Sequence, residues 1–375
     1  MVKVSVIMPV YNAADYLEES INGILKQSLK DLELICVDDG SVDNSLEILK
    51  KFEAKDDRVK VFHQENRGGG AARNVAITHA TGEYMYCMDA DDIIDRHALK
   101  ELYEIIKEKD VDFVVFQAMN YDDEQDKYYH DRFYDMNELA DFVGEKIFNY
   151  KDLGDYIFQI SVTPWCKIYN LDFVKRSGAQ FAEGLIFHDN IFFWDILFQA
   201  ERIYFHRKFL YTRRRHITSS TGAGDRRYLS YITICNMIWD IFKKHGHFYE
   251  YLRGLGIRKT NKVFHWYQYI QDEYKEEYFQ AMKADYEKIA EDKDLFDKLY
   301  VELTDKGKLI MDNTLKSADH EEFDYNMENF LLKEENKALK RQNEELKEEH
   351  VLLFNSTSWK ITKPLRSIMR IFKKG

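Results

Sequence analysis

The chain has 375 residues, 45% of them hydrophobic and 32% charged, enough for a sizeable core and either two domains or one with appendages. A net charge of −12 argues against nucleic-acid binding, because a polyphosphate backbone needs a basic surface. No apolar run approaches the roughly eighteen residues that cross a bilayer.

Met1 to Val10 is too short, and lacks the basic start and small-residue cleavage site of a signal peptide. Cys36, Cys87, Cys166 and Cys235 are widely spaced, with no zinc pattern, and read as free thiols in a reducing cytoplasm.

In chain order, the apolar run Val2 to Pro9 predicts a buried strand, and Ala14 to Gln27 an amphipathic helix. Leu32 to Val37 predicts a second strand ending at Asp38-Asp39-Gly40-Ser41, after which Asp43 caps a helix to about Phe52. Val59 to His63 predicts a third strand. Gly68-Gly69-Gly70 then opens a helix carrying Arg73 and Asn74, and Tyr84 to Met88 predicts a fourth strand. Strands joined by helices of this length imply right-handed βαβ units and a mostly parallel sheet with helices on both faces.

Ligands of such sheets bind beyond the carboxyl ends of the strands. Pro9-Val10-Tyr11-Asn12, Asp38 to Ser41, Asn66 to Arg73 and Asp89-Ala90-Asp91-Asp92 all fall there and are expected to gather along one edge. Three carboxylates leaving a core together repel unless a cation sits among them, and Mg²⁺ or Mn²⁺ commonly bridges carboxylates to a substrate diphosphate. By itself Asp-x-Asp also fits a plain polar turn before a helix capped at Asp95.

A second α/β portion runs from about 112 to 220. Asp112 to Met119 predicts a strand, and the acidic, tyrosine-rich stretch to Tyr134 an exposed loop. Residues 225 to 325 read as helical and aromatic, with Tyr228 to Phe242 the clearest helix and no chemical motif. Leu332, Leu339, Leu346 and Leu353 recur every seven residues, the spacing of a coiled coil. Asn329, Asn336, Asn343 and His350 make that seam half polar, so a homodimer through residues 326–354 is weighed against a solvated lone helix. Residues 355–375 hold six basic and no acidic residues. Leu365, Ile368, Met369 and Phe372 share one face after Pro364, and Trp359 lies just upstream, a composition suited to an anionic membrane surface.

Val4 to Asn12, Val37 to Ser41, Asn66-Arg67-Gly68 through Ala72-Arg73-Asn74, and Met88 to Asp92 together resemble the nucleotide-sugar site of family 2 glycosyltransferases with the GT-A fold. The resemblance is close over residues 1 to about 110 and looser from about 160 to 220. It implies that Pro9, Tyr11, Asn12, Asp39, Arg73, Asp89 and Ala90 hold the nucleotide, with Asp39 accepting from a uracil imide and Tyr11 packing on the ring. It makes Asp91 the direct ligand of Mn²⁺ or Mg²⁺, with Asp89 assisting. Gly184 to Phe193 resembles the segment in which Glu-Asp precedes a helix, so Asp189 is the expected catalytic base, with His188 in the usual place of Glu. Trp165 and Lys167 match a segment near donor and acceptor, with Cys166 replacing Asn. Arg213, Arg215 and His216 match a strand and loop, running to Ser219, that closes over the diphosphate.

The resemblance thus implies an α/β, Rossmann-like GT-A domain over 1–222 (nucleotide half 1–115, acceptor half 116–222). A helical region 223–325, a coiled coil 326–354 and a basic amphipathic tail 355–375 follow. The expected activity is inverting transfer of a sugar, UDP-linked by the family pattern, to a glycan or lipid-linked acceptor at the inner membrane face. A sugar nucleotidyltransferase is disfavoured by the lack of an early Gly-rich triphosphate loop. A silent scaffold is disfavoured by intact Asp89, Asp91 and Asp189.

Overall fold

The computed structural model describes residues 1–216 and 224–355. Its strands are β1 (Val4–Val10), β2 (Leu32–Asp38), β3 (Val59–His63), β4 (Tyr84–Cys87), β5 (Ile93–Ile94), β6 (Phe113–Asp122), β7 (Lys127–Tyr129), β8 (Ile147–Phe148), β9 (Lys167–Asn170) and β10 (Ile203–Arg215). The first helices are α1 (Ala14–Leu25), α2 (Ser45–Glu53), α3 (Gly69–His79), α4 (Ala98–Lys109), α5 (Arg132–Asp135), α6 (Asn137–Val143), α7 (Leu171–Ser177) and α8 (Asp189–Leu197). After them come α9 (Ser230–Lys244), α10 (Leu252–Tyr269), α11 (Lys275–Glu291), α12 (Lys293–Glu302), α13 (Asp305–Lys316) and α14 (His320–Asn355).

One sheet runs in the order β3-β2-β1-β4-β9-β6-β10-β5. β1 is parallel to both β2 and β4, and β2 is parallel to β3, so four strand ends face the same way. β1 and β2 are buried at nearly every position, which is why they read as unbroken apolar runs and not as alternating ones. Short backbone bonds tie the loops beyond them together: Asp39 N–H donates to Val10 O at 2.8 Å, and Gln64 N–H to Asp38 O at 2.9 Å.

Two expectations are corrected. Asn44, not Asp43, is the N-cap of α2; the Asp43 carboxylate instead accepts from Ala14 N at 3.1 Å and Ser45 N at 2.9 Å. The stretch to Tyr134 is not a loop, because β6 continues to Asp122 and forms an antiparallel hairpin with β7. β9 enters antiparallel to both β4 and β6, so the sheet is mixed, with its longer ladders parallel.

By packing, the chain divides into a unit Met1–Lys308 and one beginning at Leu309, so the GT-A layers and the helices that follow form one body with no division near 222. Trp194, Phe242, Phe158 and Tyr251 form an aromatic core where α8 meets those helices, which accounts for much of the high aromatic content. All four cysteines are buried free thiols. The second unit has its own small core of Ile310, Met311, Phe323 and Met327. Its α14 is a single helix in which Leu332, Leu339 and Leu346 are 57%, 50% and 52% exposed. The expected membrane-binding tail, from Trp359 and Pro364 onward, lies outside the described residues, as does the loop through Ser219. Among the described residues no helix is long and apolar enough to cross a membrane.

Candidate active site

The loops beyond β1, β2 and β3 form a linked rim. Asn12 adopts a positive φ of 49°, its Oδ1 accepts from Val42 N at 2.8 Å, and its own N–H donates to Ser41 Oγ at 3.0 Å. This clasp leaves Tyr11 half exposed. Asp39 is buried and accepts from Gln64 Nε2 at 2.7 Å, Arg67 N at 2.9 Å and Gly68 N at 2.8 Å. An ionised carboxylate offers about four lone-pair positions, so Asp39 keeps capacity for one more donor while it anchors the start of α3.

Arg73 leaves the first turns of α3 and is almost wholly buried. Its Nη2 donates to Asp89 Oδ1 at 2.5 Å, its Nη1 lies 3.2 Å from His188 Nε2, and the same nitrogen is 3.9 Å from Asp189 Oδ1. One guanidinium therefore stands between the carboxylate at the end of β4 and the carboxylate that opens α8. Asn74 secures this alignment by exchanging two bonds with the backbone of Phe181, both at 2.9 Å. Gly70 permits it, since a Cβ there would lie 2.1 Å from Ala182 O.

The three carboxylates after β4 differ in surroundings. Asp92 is buried, accepting from Tyr211 OH at 2.5 Å and Arg214 N at 2.7 Å. Burial, then Asp91 and Asp89, push its carboxyl well above the usual range, and its two hydrogen bonds make it a brace of the turn. Asp89 is also raised by burial, with Arg73 opposing and Asp91 adding to the rise. Asp91 meets His216 Nε2 at 2.9 Å, and His216 packs on Tyr16 with ring centroids 4.6 Å apart.

Asp189 is the first residue of α8, with His188 at the N-cap position. His188 Nδ1 approaches its Oδ1 to 2.8 Å. Burial pushes the Asp189 carboxyl up, but His188, Arg73 and Lys167 outweigh it and hold the group below its ordinary value.

Arg73, Asp89, His188 and Asp189 thus form one contact network, Asp91 pairs with His216, Asp39 anchors the start of α3, and Ala90 is buried between the carboxylates. Trp165 and Lys167 lie beneath the network. Trp165 is buried and stacks on Tyr211 at 4.7 Å, and Lys167 is buried with its ammonium donating to the carbonyls of Ser161 and Thr163. Neither presents a contact surface to a ligand, so the expected donor or acceptor contact is replaced by support from below, which Lys167 extends to Asp189 through its charge. Arg213 donates to Tyr134 OH at 3.2 Å, and Arg215 is exposed.

Sequence reasoning missed Arg214. It is buried and ties Asp91 O (2.9 Å) to Asp123 (2.8 Å) and Glu19 (2.6 Å), fixing the turn from three directions. No local pattern marks it, since the run of three arginines gives no sign of which one turns inward.

Among the described residues no group of three His, Cys, Asp or Glu side chains is assembled to hold a metal alone. Mg²⁺ and Mn²⁺ suit carboxylate oxygens, and Mg²⁺ is usually held by one or two carboxylates plus substrate phosphates. Asp91 and Asp89, each about a third exposed beside the His216 ring, are a donor set that fits such an ion.

The model for "Glycosyl transferase family 2" matches residues 5–171. Glycosyltransferase GlyG of Streptococcus pneumoniae is 36% identical over 218 residues, covering 56% of this chain and 70% of that protein. The chain belongs to glycosyltransferase family 2. The cholesterol galactosyltransferase of Borreliella burgdorferi is 28% identical over 254 residues, covering 66% of this chain and 70% of its own length. Among solved structures, Staphylococcus aureus TarS 1-349 in complex with UDP-GlcNAc superposes with a TM-score of 0.68 at 20% identity, covering 88% of this chain and 92% of that one. The GT-A layers and much of the helical region therefore share one architecture with it.

Proposed function

We propose that this family 2 enzyme transfers a sugar from a nucleoside-diphosphate donor, UDP-linked, to a hydroxyl of a glycan or lipid-linked acceptor, with inversion at the anomeric carbon. The observation that carries the reading is Arg73 standing between Asp89 and Asp189, which sets a donor-side and an acceptor-side carboxylate about one cation apart. The UDP-GlcNAc bound by TarS supports the choice of donor. The names of relatives, among them a poly(ribitol-phosphate) β-glucosyltransferase of Bacillus spizizenii matched over 117 residues, support a role in cell-surface glycan assembly.

In this reading Tyr11 lies against the base, Asp39 takes its imide N–H, and Asp89 reaches the ribose. Asp91 and Asp89, with His216 alongside, would hold Mn²⁺ or Mg²⁺. Such an ion supplies Lewis-acid stabilisation to a leaving diphosphate. Asp189 is the general base. Its depressed pKa keeps it ionised at neutral pH, ready to take the proton of the acceptor hydroxyl as oxygen attacks carbon. Arg73 fixes both carboxylates before substrate arrives, so little reorganisation is needed at the moment of reaction.

The test is release of free nucleoside diphosphate from a panel of nucleotide sugars, with and without Mn²⁺. UDP released from a UDP-sugar, dependent on the cation, is the expected result. Release of pyrophosphate, or no turnover of any donor, contradicts it.

A further inference from the structure

The helix α10 lies directly against the catalytic segment. Arg258 Nη2 donates to Asn190 Oδ1 at 3.0 Å, one residue beyond Asp189. Arg258, Lys262 and His265 follow at spacings of four and three, which places them on one helical face. Lys262 is exposed and has no carboxylate at ion-pair distance among the described residues; Asp131 acts on it only from further off. Lys306 adds a third cation, near the His265 ring, and packs over Phe264 at 5.6 Å. The field they make is felt within the cluster. His265 is lowered by burial and then by Lys262 and Lys306. On a chain of net charge −12, a patch of like cations beginning at the catalytic base asks for an anionic partner.

Aromatic rings stand beside it. Phe187 has a φ of 63°, a left-handed conformation that bulky side chains rarely adopt and that persists only where surroundings impose it. Its ring is wedged against Trp266 at 4.6 Å and Tyr231 at 5.0 Å, while its carbonyl accepts from Asn190 Nδ2 at 2.9 Å. Phe187 and Trp266 are only half-buried, so the strain keeps an apolar face two residues from Asp189. Aromatic walls with a few convergent polar groups are the usual make-up of a small-molecule site.

We propose that the acceptor carries a phosphate ester close to its reacting hydroxyl, bound by Arg258, Lys262 and His265, with its sugar or polyol carbons against Phe187 and Trp266. Guanidinium and ammonium groups are the common partners of phosphate oxygens. A neutral glycan gives no use for them. The inference rests on Asp189 marking the acceptor side. Two sources share this chemistry, a phosphodiester-linked polyol and a sugar on a lipid diphosphate.

The test is calorimetric binding to the full chain, without donor, of three probes: a glycerol phosphate hexamer, a short-chain polyprenyl-diphosphate sugar and a neutral oligosaccharide of equal length. One of the phosphate probes is expected to bind, more weakly as salt rises, and which one binds identifies the source. Lys262→Gln should weaken it about fivefold, the worth of one partly exposed ion pair, with unchanged thermal unfolding. Trp266→Ala should weaken it too, and Lys100→Gln, exposed on α4, should not. Binding of neither phosphate probe, equal binding of the neutral one, or wild-type affinity in both Lys262→Gln and Trp266→Ala overturns the proposal. Because donor is absent, such a failure leaves nucleoside-diphosphate release, and the reading of the site as a transferase, untouched.

Discussion

His188 Nδ1 lies 2.8 Å from Asp189 Oδ1, at the place where the resembled family segment carries a glutamate. Of the groups that oppose burial at Asp189, His188 acts most strongly, so the pair favours the ionised base. The acidic limb of kcat/KM is therefore expected below the ordinary carboxylate range, with activity present above it and lost as pH falls through it. His188→Gln should move that limb up, and His188→Glu further, since it sets a second negative charge beside the base. A limb that stays in place in both variants contradicts the pairing.

Asp91 and Asp92 are adjacent yet are assigned different work. Asp92→Asn replaces a buried brace of the turn by a near isostere and should cost about 1 kcal/mol in denaturant unfolding while most activity remains. Asp91→Asn should unfold like wild type and lose activity on the order of a hundredfold, the scale of one lost electrostatic stabiliser. Equal losses in the two variants would remove the distinction.

Arg214→Met severs the bonds to Asp91 O, Asp123 and Glu19 together. About 2 kcal/mol of stability should be lost, as expected for charged hydrogen bonds broken at a buried side chain, visible as a lower urea midpoint. Arg215→Met, at an exposed neighbour, should leave the midpoint unchanged.

Glu33 accepts from Ser5 Oγ at 2.6 Å, Thr81 N at 2.7 Å and Lys60 Nζ at 2.5 Å inside the sheet. Burial raises its pKa, but those donors outweigh burial and lower it below the ordinary glutamate value. A depressed carboxylate contributes stability that is present above its unfolded pKa and lost as pH falls through the folded one. Unfolding free energy should therefore fall on acidification below the usual glutamate range, and less steeply in Glu33→Gln.

The parts of the site visible beforehand were those carried by contiguous strands. Long apolar runs such as Val4–Val10 and Leu32–Asp38 can only be covered strands, and parallel order then places Asp39, Arg73 and Asp89 on one edge. What stayed hidden depends on distant partners. The direction of β9, four residues long, is set by β4 and β6 on either side, and nothing within Lys167–Asn170 encodes it. Asp39 could be matched to a base-binding role, but its grip on Arg67 N and Gly68 N appears only once β3 lies beside β2. Lys167 is expected near donor and acceptor from the resemblance of its segment, and is buried here because two carbonyls and the Phe193 ring receive it.

The heptad of α14 is also open to trial. Half-exposed Leu339 and Leu346 are expected to pair with a second copy, so truncation after residue 326 should halve the mass in sedimentation equilibrium. An unchanged mass would leave a lone helix.

The most direct measurement is sugar transfer by Asp189→Asn, set beside its affinity for the donor. Transfer should fall about a thousandfold, within the range given by a positioned general base, while UDP-sugar binding by calorimetry stays within a factor of about three. Full transfer by the variant would contradict the account, because the hydroxyl proton would then be leaving by another route.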